Sequence, residues 1–199
     1  MPLKNRIIIG ISGASGAIYG VRMLEALKEL PVETHLVISK AAEQTLAHET
    51  EWTVKAVKAL ADVTYAPGDI GAAIASGSFQ TMGMVIAPCS VRSLAEIATG
   101  VTTGLLTRAA DVVLKERRRL VIMLRETPLH TGHLRNMTTL SEMGAILAPP
   151  VPAFYAKPAT VDDIVDHSVG RVLDLFGFDT KRVKRWGEAA AGKSARPSA

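Results

Sequence analysis

The sequence predicts an α/β domain built on a doubly wound parallel β-sheet. Short apolar runs alternate with segments that carry apolar residues at helical spacing. The order strand, helix, strand, helix opens the chain, which is typical of parallel strands joined by crossover helices. Polar residues follow several of the apolar runs directly. Ligands in this class of fold bind at the carboxyl ends of the strands, so these polar residues predict a binding crevice there.

The predicted strands are apolar runs, and the predicted helices lie between or after them. The strands cover residues 7–11, 33–39, 82–87, 120–124 and 145–148. A first helix carries Ile18, Val21, Leu24 and Leu27, and further helices are predicted over 40–51, 54–60, 70–75, 94–119, 130–144 and 160–176. Gly100 and Gly104 interrupt the segment 94–119, and residues 65–69 read as a turn. We expect one domain over residues 1–186, followed by a disordered tail over 187–199.

The loop after the first strand is rich in small residues. Gly10, Gly13 and Gly16 allow a sharp bend and a close approach to a ligand, and Ser12 and Ser15 add hydroxyl groups. The amino end of the following helix favours an anion, so the loop predicts a phosphate site. The spacing G-x-x-G-x-x-G differs from the dinucleotide-binding pattern. A turn that only closes a strand–helix unit is the alternative.

Polar side chains also follow three later strands. Ser39 ends the second, Ser90 and Ser93 follow the third, and Arg125 and Glu126 follow the fourth. In a doubly wound fold these positions converge on one crevice. A cation next to a carboxylate suits phosphate binding combined with proton transfer, and a structural ion pair between the two is the alternative.

Composition excludes several classes of function. The chain of 199 residues has a net charge of +4 and 5% aromatic residues, which argues against a base-stacking nucleic-acid platform. A single cysteine excludes an internal disulfide and a cysteine-based zinc site. Without a long apolar segment or a signal peptide in the sequence, we expect a cytoplasmic protein that does not bind membranes. The basic cluster at 115–119 suits a solvated helix end, an anionic small molecule or, less well, nucleic acid.

Cys89 and the pair His130 and His133 are candidates for a catalytic and a metal site. Cys89 follows a buried strand without an obvious histidine partner, so a small buried thiol is favoured over a nucleophile. His130 and His133 have a spacing that suits two metal ligands, but the sequence offers no sensible third ligand. We therefore expect no metal.

These stretches together resemble the UbiX-type flavin prenyltransferases. The resemblance runs in order from about Arg6 to Trp186. It rests on the segments GISGASGA (10–17), VISKA (37–41), ASGS (75–78), APCS (87–90), TRAAD (107–111), LKERR (114–118), RETP (125–128), PVPAFY (150–155), GRVLD (170–174) and RW (185–186).

The resemblance implies a Rossmann-like, flavodoxin-like flavoprotein domain. It implies transfer of the dimethylallyl group of dimethylallyl phosphate to N5 and C6 of reduced FMN without a metal. The product, prenylated FMN, is the cofactor of partner UbiD-type decarboxylases. A homododecamer with sites between subunits is implied as well. The implied partners are thus a small molecule and a recipient enzyme.

The resemblance also implies roles for individual residues. FMN would be held by Gly13, Ala14, Ser15, Ser39, Ser90, Val91, Arg92, Ser93 and Arg125. Dimethylallyl phosphate would be held by Arg108, Lys115, Glu126, Tyr155 and Arg171. Catalytic roles fall to Glu126, and to Ser15 and Glu49 as proton-handling or flavin-orienting residues.

The chain departs from the family pattern before the segment ASGS. Some members have an aromatic residue there, whereas Ile70 lies in this region of the chain. The segment 127–133 (TPLHTGH) looks most like the branch associated with aromatic-acid decarboxylases. The alternatives in function are a flavoprotein that decarboxylates a phenolic or cysteinyl acid directly, and a non-catalytic flavin carrier subunit. Sequence leaves open whether the donor is a mono- or a diphosphate.

Overall fold

A single parallel sheet lies at the centre of the computed structural model, which describes residues 5–187. Its strands are β1 (Arg6–Ile11), β2 (Glu33–Ile38), β3 (Val63–Tyr65), β4 (Gly83–Cys89), β5 (Arg119–Leu124) and β6 (Ile146–Leu147). They are ordered β3-β2-β1-β4-β5-β6, and every pair is parallel. The winding therefore reverses between β1 and β4, which confirms the predicted doubly wound sheet.

The connections are mostly helical. The α-helices are α1 (Ala17–Lys28), α2 (Lys40–Glu49), α3 (Val54–Lys58), α4 (Val91–Thr99), α5 (Leu105–Lys115), α6 (Thr131–Glu142) and α7 (Val161–Asp174). Two 3₁₀ turns cover Ala73–Ala75 and Phe154–Ala156. The Thr160 side chain caps α7 in a capping box with Asp163.

Burial of apolar side chains holds α4 and α5 against the sheet. Ile8, Met84 and Ile122 belong to one buried cluster together with Leu94 and Leu105 from these helices. On α1, Gly20 permits close contact with β4, because a Cβ there would lie 2.5 Å from the carbonyl oxygen of Ala87. The apolar runs read from the sequence are thus the strands of the core.

The structure differs from the sequence prediction at several places. The predicted helix 70–75 is only a 3₁₀ turn over Ala73–Ala75. Residues 63–65 form the edge strand β3, and no strand was predicted there because three residues, none of them buried, make too short a run to recognise. The predicted helix 94–119 is two helices. It breaks at Gly100, which has a φ of +72°, a conformation that glycine adopts without strain. Arg119 belongs to β5 instead.

The chain comprises two compact units, one ending at Pro150 and one beginning at Val151. The first contains the sheet and helices α1–α6, and the second contains the 3₁₀ turn Phe154–Ala156 and α7. Apart from Gly187, the predicted tail 187–199 lies outside the described residues. None of the helices within residues 5–187 is both long and apolar enough to cross a membrane.

Candidate functional site

A cleft of about 600 Å³ opens at the carboxyl ends of β1, β2, β4 and β5. Two of its walls follow β1 and β4, the strands between which the winding reverses, and this is where doubly wound folds bind ligands. All nine residues expected to hold FMN line it, and so does Glu126. The lining residues from the predicted set are Gly13, Ala14, Ser15, Ser39, Ser90, Val91, Arg92, Ser93, Arg125 and Glu126.

A buried hydroxyl group joins the two loops at the switch in winding. The Ser12 side chain donates to the carbonyl oxygen of Pro88 at 2.9 Å and accepts from the amide of Ser90 at 2.7 Å. Ser12 is only 1% exposed. Its hydroxyl group therefore fixes the β1–α1 loop against the β4–α4 loop, and Ser15 is the loop serine that faces the cleft.

The amino end of α1 is occupied by a carboxylate of the chain itself. Glu49, the last residue of α2, accepts hydrogen bonds from the amides of Gly16 at 2.7 Å and Ala17 at 3.2 Å. Burial alone would raise the Glu49 pKa, but hydrogen bonds from the Ser15 side chain and these two amides, together with the charge of Arg125, hold the pKa below its ordinary value. The amino end of α1, predicted from the sequence to bind a phosphate, thus binds the ionised Glu49 side chain.

The amino end of α4 retains amides for a ligand. The Ser90 side chain caps the helix by accepting from the Ser93 amide at 3.2 Å, and the two hydroxyl groups are also 3.2 Å apart. The first amides of a helix have no partner in its own backbone, which leaves those of Val91 and Arg92 at the wall of the cleft. This end of the cleft suits an anionic group.

Arg125 and Glu126 follow β5 but do not pair with each other. The Arg125 backbone amide donates to the Cys89 carbonyl at 3.0 Å, which fixes the start of the loop next to β4. The Glu126 carboxylate accepts from the Thr127 amide at 3.0 Å. Between residues 5 and 187 no salt bridge joins the two side chains, so the structural ion pair considered from the sequence is not formed. Both are present at the cleft.

Glu96 organises a part of the cleft that was not predicted from the sequence. One Glu96 oxygen pairs with Arg92 at 2.9 Å, while the other accepts from Thr103 at 2.9 Å and Thr107 at 3.1 Å. The same carboxylate thereby connects α4, the loop after it and α5. Burial opposes the charge on Glu96, but the Thr103, Arg92 and Thr107 contacts lower its pKa.

The rest of the cleft was given no role from the sequence, although Lys40 and Ala41 belong to the segment VISKA. Its remaining residues are Lys40, Ala41, Pro67, Gly68, Gly104 and Leu106. Pro67 and Gly68 follow β3, the strand that was not predicted. For Glu96, the i, i+4 spacing with Arg92 on α4 was an available indication, since such pairs meet on a helix surface.

Two cations assigned to the prenyl phosphate lie outside the lining of the cleft. Arg108 pairs with Asp111 at 2.7 Å, and Lys115 pairs with Glu116. The segment at Gly77 packs against the second pair, because a Cβ on Gly77 would lie 2.7 Å from the Lys115 ammonium nitrogen. Each of these cations is thus paired with a neighbouring carboxylate in the single chain.

The other two, Tyr155 and Arg171, belong to the second compact unit. The Tyr155 hydroxyl group lies 3.3 Å from Nε2 of the buried His167, and the Trp186 ring packs edge-on at 5.5 Å between centroids. Arg171, on α7, pairs with Asp174 at 2.7 Å. Both candidate ligands of the donor are therefore held by neighbouring side chains.

The sites considered and rejected from the sequence have ordinary structural roles. Cys89 is completely buried, which raises its pKa to about 12 and leaves it an unreactive thiol. His130 caps α6 by accepting from the amides of Gly132 and His133. Within the described part of the chain no cluster of three metal-binding side chains occurs.

Comparisons with known proteins agree on one family. The Flavoprotein family model matches residues 1–173. The flavin prenyltransferase UbiX of Escherichia coli K12 is 61% identical over 87% of this chain and 92% of its own length. That of Thauera aromatica is 56% identical over 91% of this chain and 93% of its own length.

Two solved structures have the same fold at high identity. AnUbiX (PadA1), in complex with FMN and dimethylallyl pyrophosphate, superposes with a TM-score of 0.91 at 49% identity and covers 92% of this chain and 98% of that one. A dodecameric FMN-dependent UbiX-like decarboxylase from Escherichia coli O157:H7 gives 0.90 at 54% identity, covering 91% and 98%.

Proposed function

Because the chain belongs to the UbiX family of flavin prenyltransferases, we propose that its cleft holds FMN as the acceptor of a dimethylallyl group. The chain is a flavin prenyltransferase and a flavoprotein. One observation carries the assignment of the cleft. The nine residues that resemble the flavin-binding residues of the family come from four separate segments, and they line one cavity at the switch in winding.

The residues present fit FMN. A volume of about 600 Å³ is in the range of cofactor pockets. Serine hydroxyl groups, the α4 amides and the Arg92 and Arg125 side chains provide donors for a phosphate ester. Ala14, Val91 and Leu106 provide apolar surface for a planar ring. When bound and reduced, FMN supplies the nucleophilic N5 and C6 atoms to which the dimethylallyl group is joined.

The chain contributes binding, charge and proton transfer. We propose that Arg108, Lys115, Tyr155 and Arg171 bind the phosphate of the donor and stabilise its departure, since cations and hydroxyl groups offset the developing negative charge. Glu126 would protonate the leaving phosphate as a general acid. Ser15 and the ionised Glu49 would orient the flavin and handle protons, and their hydrogen bond supports a joint role.

The wider setting is also a proposal. Residues 1–186 would act as one prenyltransferase domain, in a homododecamer with sites between subunits. A dodecameric relative supports that assembly. The product, prenylated FMN, would serve a UbiD-type decarboxylase in the cytoplasm, within the branch that acts on aromatic acids. The donor would be dimethylallyl phosphate, and the diphosphate seen with a relative is the alternative.

The test is anaerobic incubation of the purified protein with reduced FMN and dimethylallyl phosphate, followed by mass spectrometry of the released flavin. We expect a flavin heavier by one five-carbon unit. Glu126→Gln should lower the rate at least about a hundredfold with FMN affinity unchanged, because general acids contribute on that scale. Ser141→Ala, an exposed position on α6, is the matched control.

The contrary results are distinct. Unchanged flavin with both the mono- and the diphosphate, although FMN binds, would contradict prenyl transfer and favour a flavin carrier. Release of carbon dioxide from a phenolic or cysteinyl acid without prenylated flavin would favour a direct decarboxylase. Full activity of Glu126→Gln would remove Glu126 from the mechanism.

A further inference from the structure

Two arginine side chains of the second compact unit, Arg171 and Arg185, share the Asp174 carboxylate. Both guanidinium nitrogens of Arg185 donate to the two Asp174 oxygens, each at 2.9 Å. Arg171 donates to one of the same oxygens through Nη1 at 2.7 Å. The Asp174 side chain is 14% exposed, whereas that of Arg171 is 52% exposed. The largely buried Asp174 thus lies between Arg185, which makes a bidentate contact with it, and Arg171, which is half exposed to solvent.

The two arginines contact Asp174 in different ways. A bidentate arginine–carboxylate pair is both directional and strong, so Arg185 is committed to Asp174. Arg171 uses one of its five N–H donors in its hydrogen bond to Asp174. The contacts with Arg185 and Arg171 keep the pKa of Asp174 low, although burial opposes this. Asp174 is therefore a carboxylate that two arginine side chains contact.

Removing either arginine would have different consequences. Without Arg185, the whole negative charge of Asp174 would face Arg171, and an incoming phosphate would have to compete with it for the guanidinium group. With Arg185 in place, that carboxylate is already neutralised and the charge of Arg171 remains available. Asp179 also lies 3.8 Å from Arg185 and is paired with Lys181, so the shortest contacts of Arg185 with a carboxylate are the two of 2.9 Å to Asp174.

We propose that Arg185 is a positioning residue for the prenyl donor, which neutralises Asp174 so that Arg171 can bind the phosphate. This inference rests on the proposed function, which assigns Arg171 to the donor phosphate. Arg185 itself touches neither substrate in this scheme. It acts through Asp174, and its effect is specific to the donor.

The test compares initial rates over a range of dimethylallyl phosphate concentrations, with saturating reduced FMN. Arg185→Ala should raise the KM for the donor about tenfold, the scale of one charge-assisted hydrogen bond, while the Kd for FMN stays unchanged. Arg171→Ala shows how far the KM for the donor rises when the proposed phosphate ligand itself is removed. Arg182→Ala is the matched control, since Arg182 also pairs with an α7 aspartate, Asp166, at 3.1 Å. It should leave the donor KM at the wild-type value.

A double variant separates electrostatic positioning from simple loss of structure. Asp174→Asn added to Arg185→Ala removes the uncompensated carboxylate, so most of the lost donor affinity should return. A merely structural role for Arg185 predicts that the second substitution deepens the defect. If Arg185→Ala does not fold, Arg185→Gln keeps an N–H donor without the charge and should raise the KM similarly.

The outcomes distinguish this inference from the proposed function. A normal donor KM in Arg171→Ala would contradict the assignment of Arg171 itself. A raised KM in Arg171→Ala, with Arg185→Ala or Arg185→Gln equal to the Arg182→Ala control, would overturn the positioning role alone. So would a double variant that is no better than Arg185→Ala.

Discussion

Replacing Ser12 by alanine tests whether one buried hydroxyl group holds the flavin cleft together. The change removes the hydrogen bond to the Pro88 carbonyl and the acceptor for the Ser90 amide. Pro88 keeps a partner, because the Ser12 amide also donates to its carbonyl oxygen at 3.2 Å. The Ser90 amide loses the acceptor that it has in this structure. The damage is therefore one lost hydrogen bond and one unpaired donor.

These two effects give the expected size of the change. An ordinary hydrogen bond contributes about 1 kcal/mol net, and an unpaired buried donor costs about 1–3 kcal/mol. Since Ser90 is only partly buried, we take the lower part of that range. The free energy of unfolding should fall by about 2 kcal/mol. FMN affinity should also fall, because the two loops that line the cleft lose their connection.

The measurement is urea unfolding of flavin-free wild type, Ser12→Ala and the exposed control Ser141→Ala at one protein concentration, since association shifts apparent stability. FMN binding is followed by fluorescence quenching on the same samples. A loss below about 0.5 kcal/mol, within the range of surface substitutions, would refute the bridging role. Unchanged FMN affinity despite the expected loss of stability would refute the link between the bridge and the cleft.

Three further predictions concern the same unit. Glu49 has a pKa below its ordinary value of 4.5, so it stabilises the fold above that pH and the contribution is lost as pH falls through the lower folded value. Glu49→Gln should therefore lose less stability than wild type between about pH 5 and pH 3 in urea titrations, and identical pH profiles would contradict this. Cys89, with a pKa raised to about 12, should resist iodoacetamide until urea unfolds the protein, and rapid labelling of the native state would be inconsistent with its burial. Gly13→Ala would place a Cβ 2.4 Å from that of Ala41 and should abolish FMN binding. The control Gly71→Ala, whose new Cβ has its nearest atom at 3.6 Å, should bind FMN like the wild type. Equal FMN affinities of the two variants would show that the loop can move.

The sequence predicted the strands of the core and the convergence of Ser39, Ser90 and Arg125, because apolar runs followed by polar residues are local patterns. The wall formed by Pro67 and Gly68 was missed for the opposite reason. The strand before it, β3, is three residues long and lies at the sheet edge, so its sequence has no apolar run to mark it.

Pairing between distant residues was the second limit. Nothing local to Glu96 shows that Thr103 and Thr107 donate to it, since a chain reversal after α4 brings them there. Likewise the loop glycines indicated an anion at the start of α1, and the anion found there is the carboxylate of Glu49, more than thirty residues along the chain. Local motifs specify a type of environment, and the long-range contacts decide which group occupies it.

The carboxylate at the head of α1 has a consequence for how such loops are interpreted in genomes. A glycine-rich turn before a helix indicates an anion-binding site, but a carboxylate from the end of the next helix can occupy that site. In sequences that keep this turn, the residue aligned with Glu49 then becomes diagnostic. An acidic residue there indicates an internally filled helix end, and a neutral one indicates a helix end left to a phosphate.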